Sequence, residues 1–480
     1  MATAEVRAIA ADAGGRPRAV ARSPLPAPVS PRPGWSEQDA SAWWPAVVAA
    51  LSQLADRLGS DRRSLAALSV CSTSGTVVAL DGGMAPIGPA LMYADQRAVP
   101  EAQAAQRSGA GRWESLGLRI QPSFGLPKWA WLLSQPEIGA AAARLAHACD
   151  VAVGHLIGGV PPTDWSHALK SGYDPQRREW AAEAMDALAI PARLLPEVRR
   201  PAEPAGRVCR EAARATGLPE GCEVRLGMTD GCAAQLAAGA SAQGRFVSVL
   251  GSTLVLKGAS HRLIADPAGV VYSHRHPGGW WLPGGASSTG ARALAAGFGN
   301  RRLAELDDLA ARHGPARVVI YPLIGRGERF PFAAAGAEGF TLGDLAGEVE
   351  RYRATLEGVA FVERLGYERL AALGAVADPP IAASGGGSAS PVWNRIRAAV
   401  LGAPLVAKPA ASTALGACIL AAAGSLHPDL AAATAAMAVA GERVNPDEDD
   451  RDALERNYQR FVTAVIQRGW WPPEEGAATS

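Results

Sequence analysis

Val224–Ala240 reads VRLGMTDGCAAQLAAGA. The apolar residues Val224 and Leu226 lead to a glycine and then to a lone acid, Asp230. From Gly231 a run of small residues keeps helical spacing as far as Gly239. Asp230 is therefore expected in a strand-to-helix turn at the mouth of an α/β sheet, where ligands bind and helix-terminal N–H groups hold anions. Spacing alone leaves a second reading open, in which Asp230 is only the N-cap of the helix after it. The company this stretch keeps separates the two.

A chain of 480 residues exceeds one compact core, so two domains are expected, 1–242 and 243–480. Its 47 Lys and Arg against 46 Asp and Glu leave a formal charge of +1 without a basic block. The electrostatic footprint of a nucleic-acid binder is thus missing, and a small-molecule partner is expected. The Ala-rich stretches are broken by Arg, Glu, Gly or Pro before they reach membrane-spanning length, and the first residues lack a charged-then-apolar leader. These features point to a cytoplasmic protein without a membrane partner. The six cysteines contain no C-x-x-C pair, which argues against a zinc site or a disulfide framework. A homodimer stays open.

Along the chain, Glu5–Ala11 and Arg18–Arg22 form a hairpin, and an amphipathic helix capped by Ser36 or Asp39 runs through Trp43, Val47 and Leu51. A strand at Leu65–Val70 enters the small polar turn CSTSGT. Tyr93, Asp95 and Arg97 break a later apolar strand, so Ser, Asp and Arg mark candidate site edges. Residues 112–133, with Trp113, Trp129, Trp131 and a lone Lys128, are expected to cover a cleft. Residues 162–180 read as a polar loop. Phe246–Leu250, the turn Gly251-Ser252-Thr253 and Leu254–Lys257 form a tight hairpin, either an ordinary one or one that wraps a phosphate with backbone N–H groups and hydroxyls. A loop, PLIGRGERFPF, follows the strand Val318–Tyr321. The strand Pro380–Ala383 ends in Ser384-Gly385-Gly386-Gly387-Ser388, and a helix at Pro391–Leu401 carries Trp393 and Asn394 in its first turn. A glycine triplet between strand and helix lets backbone approach a ligand closely. The P-loop pattern is absent. His274 and His276, without a third ligand nearby, read as a solvated or hydrogen-bonded turn rather than a metal pair.

Together these parts describe two α/β halves with what phosphoryl transfer needs: turns that hold phosphates by their backbone, a carboxylate for the acceptor hydroxyl or Mg²⁺, and lobes that close. Through PGWSEQDASAWW, SGTVVALDGGMAPIGPALMYADQRA, TDWSHALKSGYDPQRREW, GMTDGCAAQLAAGA, SVLGSTLVLKG, EGVAFVERLGYERL and SGGGSASPVWNRIRAAVLGAPL, the chain resembles the FGGY carbohydrate kinases from about Glu5 to Leu426. SHRHPGGWWLPGGASSTGARAL and YPLIGRGERFPF look closest to the branch of D-ribulose kinases and plant and cyanobacterial xylulose-kinase-like proteins. The resemblance implies a two-domain actin-like ATPase (ribonuclease H-like) α/β fold with an interdomain cleft. It further implies ATP and Mg²⁺ as cofactors and phosphorylation of a terminal hydroxyl of a ketopentose, D-ribulose first, with D-xylulose or another polyol as the alternative. By position, it makes Asp230 the general base and metal ligand. Ser74, Gly75, Thr76, Tyr93, Asp95, Arg97 and Asp164 match sugar-binding segments. Gly251, Ser252 and Thr253 match the second phosphate turn, and Gly385, Gly386, Gly387, Trp393 and Asn394 match the adenosine segment.

One segment departs from the family. Its first phosphate hairpin, D-x-G-T-[ST]-x-x-[KR], matches Met1–Arg7 only at Thr3, assigned to ATP, and at Arg7. Ala2 and Ala4 replace the Gly and Ser, the Asp falls before Met1, and the preceding strand has no counterpart. Two explanations follow: a start assigned too far downstream, or a catalytically impaired binder of sugar or nucleotide.

Overall fold

The computed structural model describes residues 1–299 and 303–471. The chain forms two compact units, and neither is a single run of sequence. Unit 1 comprises Met1–Gly239, His274–Trp280 and Ser412–Ala438; unit 2 comprises Ala240–Ser273, Trp281–Ala411 and the chain from Val439 on. The expected division at 242/243 is one cut, whereas two later segments return to unit 1.

In unit 1 the strand Glu223–Thr229 lies between Pro204–Arg207, antiparallel, and Ala67–Ser72, parallel. Val224, Leu226 and Met228 bury one face of this strand, and Arg225 and Gly227 on the other face are buried as well. A second sheet pairs Val77–Leu80 with Pro86–Leu91 and Arg144–His147. The hairpin Glu5–Ala11/Pro17–Pro24 forms as expected, with the helix Trp43–Leu58 against it, burying Trp43, Val47 and Leu54. Asp39 caps the short helical turn Ala40–Ala42 ahead of that helix.

In unit 2 the strands Trp281–Ala286, Leu254–Gly258, Phe246–Leu250, Ile381–Ser384, Leu405–Ala407 and Glu442–Val444 neighbour one another in that order. Those at the centre, Phe246–Leu250, Ile381–Ser384 and Leu405–Ala407, run parallel. The helix Glu348–Ala372 is buried on most of its surface, with Leu356, Val359, Phe361, Val362 and Leu365 in one core with Phe246, Leu256, Trp393 and Phe461.

Three expectations change. Residues 162–180 are not a loop but carry short strand pairs and the helical turn Trp165–Ala168, with Asp164, Ser166, His167, Ser171 and Asp174 all buried. Asp164, Ser166 and His167 satisfy one another, while Ser171 bonds His147 and Asp174 pairs with Arg112, so these polar groups have protein partners. The first seven residues of PLIGRGERFPF belong to the strand Val319–Glu328, paired with Ala334–Leu342 in a two-stranded ribbon whose register shifts accommodate its glycines, while 329–332 stay outside it. Of the two readings of His274 and His276, the hydrogen-bonded turn holds and the solvated one does not: both are buried, the His276 ring stacks on Trp280 at 4.2 Å, its Nδ1 accepts from Gly278 N–H at 2.9 Å, and burial pushes its pKa down to about 4. Among the described residues no helix is long and apolar enough to cross a membrane.

Candidate active site

Parallel pairing sets the geometry in unit 1. Ser72 stands opposite Thr229, so the turn after Ala67–Ser72 and the Asp230 corner leave the sheet side by side. Thr229 occupies the cap position and Asp230 is the first residue of the helix Asp230–Ala237, so the cap reading of Asp230 fails. Its carboxylate is half-buried, and among the described residues its side chain takes one hydrogen bond, from Gly231 N–H at 2.8 Å. The helix Thr413–Ala422 backs the corner. Thr413 Oγ1 donates to the Asp230 carbonyl at 3.1 Å, and a Cβ on Gly416 would meet the Ala233 carbonyl oxygen at 2.0 Å.

Beside the corner, the Ser74 hydroxyl oxygen is buried without a hydrogen-bond partner, and Tyr93 is 47% exposed. Of these two sequence candidates, Tyr93 is open to a ligand and Ser74 keeps an unpartnered hydroxyl in the turn. Four others are held by internal partners, which corrects the expectation that they face a sugar. Thr76 is buried, its hydroxyl bonded to Thr73 Oγ1 at 2.7 Å and to Tyr93 N–H at 3.2 Å. Asp95 accepts from Ser36 N–H at 2.6 Å and from the Arg97 guanidinium at 2.7 Å. Arg97 also pairs with Glu37 at 2.7 Å and is flanked by Trp35 and Trp131, its guanidinium carbon 3.6 and 4.6 Å from their ring centres. Asp164 caps the turn Trp165–Ala168 and spends both oxygens on Ser166 and His167. Each carboxylate found a nearer partner than a ligand, because an unpaired buried charge is costly.

Gly75 contributes its carbonyl, which accepts from Lys128 Nζ at 2.8 Å; the same ammonium donates to the Met92 carbonyl at 2.7 Å. Lys128 is fully buried, and burial lowers its pKa to about 7. It fastens the Ser74 turn to the segment carrying Tyr93.

Unit 2 repeats the arrangement. Val249 pairs with Ser384 across parallel strands, so the Gly251–Thr253 turn and the glycine triplet emerge at the same sheet end. The first turn is held by Ala291 N–H on the Gly251 carbonyl (2.9 Å) and Arg292 N–H on the Ser252 carbonyl (3.2 Å). Buried Glu328 anchors that supporting segment, accepting from Ser287 Oγ (2.9 Å), Ser288 N–H (2.5 Å), Thr289 Oγ1 (3.0 Å) and the Tyr321 hydroxyl (2.8 Å). Gly385 has φ +83°, and a Cβ there would lie 2.6 Å from the Leu250 carbonyl oxygen. Gly386 has open space, Gly387 packs on Leu250, and the buried Ser384 hydroxyl has no partner. Trp393 and Asn394 are corrected: both are buried. The Trp393 indole donates to the Leu356 carbonyl (3.0 Å) inside the core, and Asn394 Nδ2 holds the Ser388 carbonyl (2.8 Å). Asn394 thus shapes the glycine turn from behind.

Thr3 lies before the first strand, and its carbonyl accepts from Gln38 Nε2 at 2.9 Å. The six cysteines are all free thiols. Among the described residues, one group of ligand atoms is close enough to hold a metal, Cys149, Asp164 and His167. Both His167 nitrogens there are already hydrogen-bonded.

Residues 1–237 match the FGGY family of carbohydrate kinases, N-terminal domain, and residues 247–425 match its C-terminal domain. The chain belongs to the FGGY carbohydrate kinases. A xylulose kinase of Streptomyces coelicolor is 35% identical over 296 residues, 58% of this chain and 57% of that protein, so this FGGY chain spans little more than half of that relative's length. A glycerol kinase of Citrifermentans bemidjiense is 26% identical over 98% of this chain and 97% of its own. The crystal structure of xylulose kinase from Rhodospirillum rubrum superposes with a TM-score of 0.85 at 28% identity, covering 98% of this chain and 97% of that one. FGGY kinases have the two-domain actin-like ATPase fold, and the mixed α/β units described above agree with it.

Lys128, His167, Glu328, Ser384 and Thr413 were not singled out as site residues by the sequence. Lys128 carried a signal, a lone ionisable group within an apolar run.

Proposed function

We propose that this FGGY protein is an ATP-dependent kinase that phosphorylates a terminal hydroxyl of a ketopentose. The observation that carries it is the contrast among the acids beside the Ser74 turn. Asp95 and Asp164 are spent on internal partners, while Asp230 keeps an oxygen open at the sheet end. That oxygen takes the proton of the sugar hydroxyl as the hydroxyl oxygen attacks the γ-phosphoryl group, a step in which positioning matters more than base strength. Ser74 Oγ and Tyr93 are the groups that orient the sugar.

ATP supplies the phosphoryl group, and Mg²⁺ neutralises charge developing on it. The residues of unit 2 fit a nucleotide: the unpartnered Ser384 hydroxyl and the open space at Gly386 stand beside the Gly251–Thr253 turn. Asp230 is the protein oxygen that fits Mg²⁺, which commonly takes one or two carboxylates with phosphates and water.

The segments quoted above favour D-ribulose. The relatives named xylulose kinase support D-xylulose, and that is the substrate to test first. An assay coupling ADP release to NADH oxidation, run with D-xylulose, D-ribulose, glycerol, ribitol and gluconate, should show turnover with a ketopentose that Asp230→Asn abolishes. Turnover of glycerol alone, or of none, overturns the reading. A second reading, binding without catalysis, rests on Ala2 and Ala4 in place of the phosphate-hairpin Gly and Ser; calorimetric binding of ATP or ketose without turnover selects it.

A further inference from the structure

Behind the two turns of unit 1 runs a buried polar chain, and the inference from it rests on the reading of Asp230 as base. Its centre is the fully buried His167. Nδ1 donates to Asp164 Oδ2, while Nε2 faces Ser72, 3.0 Å from its hydroxyl and 3.2 Å from its carbonyl oxygen. Ser72 ends the strand that leads into the Ser74 turn. Asp164 Oδ1 accepts from Ser166 Oγ at 2.5 Å, and Ser166 Oγ accepts from Thr229 N–H at 2.9 Å, the residue before Asp230. One imidazole ring thus reaches both strand ends.

Burial opposes protonation of this ring, but the Asp164 carboxylate outweighs it and holds the His167 pKa well above its ordinary value. The imidazole holds Asp164 low in turn, again against burial. Both ring nitrogens therefore carry protons and donate. Other ionisable groups nearby include the Cys149 thiol, 3.6 Å from Nδ1, His147, whose ring centre lies 5.6 Å away, Asp150, which His147 engages, and the buried Cys71 thiol, which feels the charges of His167 and Asp164.

We propose that His167 is a positioning residue for phosphoryl transfer, joining the strand end that carries the sugar turn to the corner that carries Asp230 and fixing their separation. The ring has two arms with separable effects. The Asp164–Ser166 arm holds the Met228–Thr229 peptide, one residue ahead of Asp230, and so governs kcat. The Ser72 arm sets the Ser74 turn and so governs the ketose KM.

Two substitutions separate the arms. Asn at 167 puts an amide near the Nδ1 position and keeps the Asp164 arm; Gln reaches the Nε2 position and keeps the Ser72 arm. With the full-length protein, His167→Asn should raise the ketose KM about tenfold and leave kcat within about threefold. His167→Gln should lower kcat about tenfold and leave that KM within about threefold, in line with the sensitivity of catalysis to small misplacements. The ATP KM should stay unchanged in both, and circular dichroism should show both folded. Equal losses in kcat and KM for both variants, no loss in either, or unfolding of both overturns the proposal and leaves His167 a structural residue. Asp230→Asn is assayed alongside. If it retains activity, the base reading fails and this proposal with it, a result distinguishable from failure of the two His167 variants against an inactive Asp230→Asn.

Discussion

In unit 1 the turn that carries Ser74 is braced by ionisable groups withdrawn from water: Lys128 on two carbonyls, Arg97 on Asp95 and Glu37, His167 on Asp164. In unit 2 the Gly251–Thr253 turn and the glycine triplet meet neighbouring backbone closely, with Gly385 against Leu250, while behind them buried Glu328 collects five donors and the buried Arg397–Glu363 pair holds Asn394 and Ser248. Both sit at the ends of neighbouring parallel strands. Under the proposed function, the ligand chemistry accounts for the contrast. Backbone N–H groups that approach phosphates need room and no side chains. Hydroxyls that read a polyol need fixed directions, and buried ion pairs supply rigidity to the turn that presents them. Unit 1 is therefore vulnerable to removal of a charge, unit 2 to addition of an atom.

The largest test of this contrast removes the acid beside the Ser74 turn that is left open. Asp230→Asn should lower kcat about 1,000-fold with the melting temperature unchanged; a loss under tenfold would return Asp230 to the ordinary residues of a helix start. Next is an added atom in unit 2. Gly385→Ala places a Cβ on the Leu250 carbonyl at positive φ, at a cost of about 1–3 kcal/mol. It should raise the ATP KM at least tenfold and leave the ketose KM alone, and a ketose effect of equal size would dissolve the division of labour. In unit 1, Ser74→Ala should raise the ketose KM about tenfold, the worth of one hydrogen bond, without touching the ATP KM; steady-state kinetics decides it.

The smallest effect is one of pH. The Lys128 pKa falls from 10.5 unfolded to about 7 folded, because burial disfavours its charge. The unfolded chain then binds more protons between those values, so this group's penalty is full below pH 7 and shrinks as pH rises toward 10.5. Urea unfolding of wild type should therefore gain stability from pH 7 to 9 relative to Lys128→Met, by at most about 1.4 kcal/mol per pH unit. Parallel curves would show that the ammonium keeps its charge in the fold.

The Asp230 corner was legible because its signal is local: an apolar run, a glycine, an acid and small residues in helical register. The glycine turns were legible for the same reason. Direction was not. Residue type made Asp95, Arg97 and Asp164 look like sugar ligands, but a carboxylate two or three residues from a cation pairs with it first, as Asp95 with Arg97 and Asp164 with His167. Trp393 could have been read correctly, since with Ile396 and Val400 it repeats at helical spacing on one buried face. Glu328 and Thr413 reach their partners across long stretches of chain, and no local pattern encodes that.

The helix Thr413–Ala422 belongs to unit 1, although the whole of Trp281–Ala411 before it belongs to unit 2. On the ribosome, the helix that begins at Asp230 waits for its packing partner until about 422 of the 480 residues have been made. A nascent chain released after residue 240 would leave the face around Ala233 bare, and with it the surface that Gly416 is shaped to cover. Completion of the first unit therefore depends on synthesis of the chain through Trp281–Ala411, which belongs to the second.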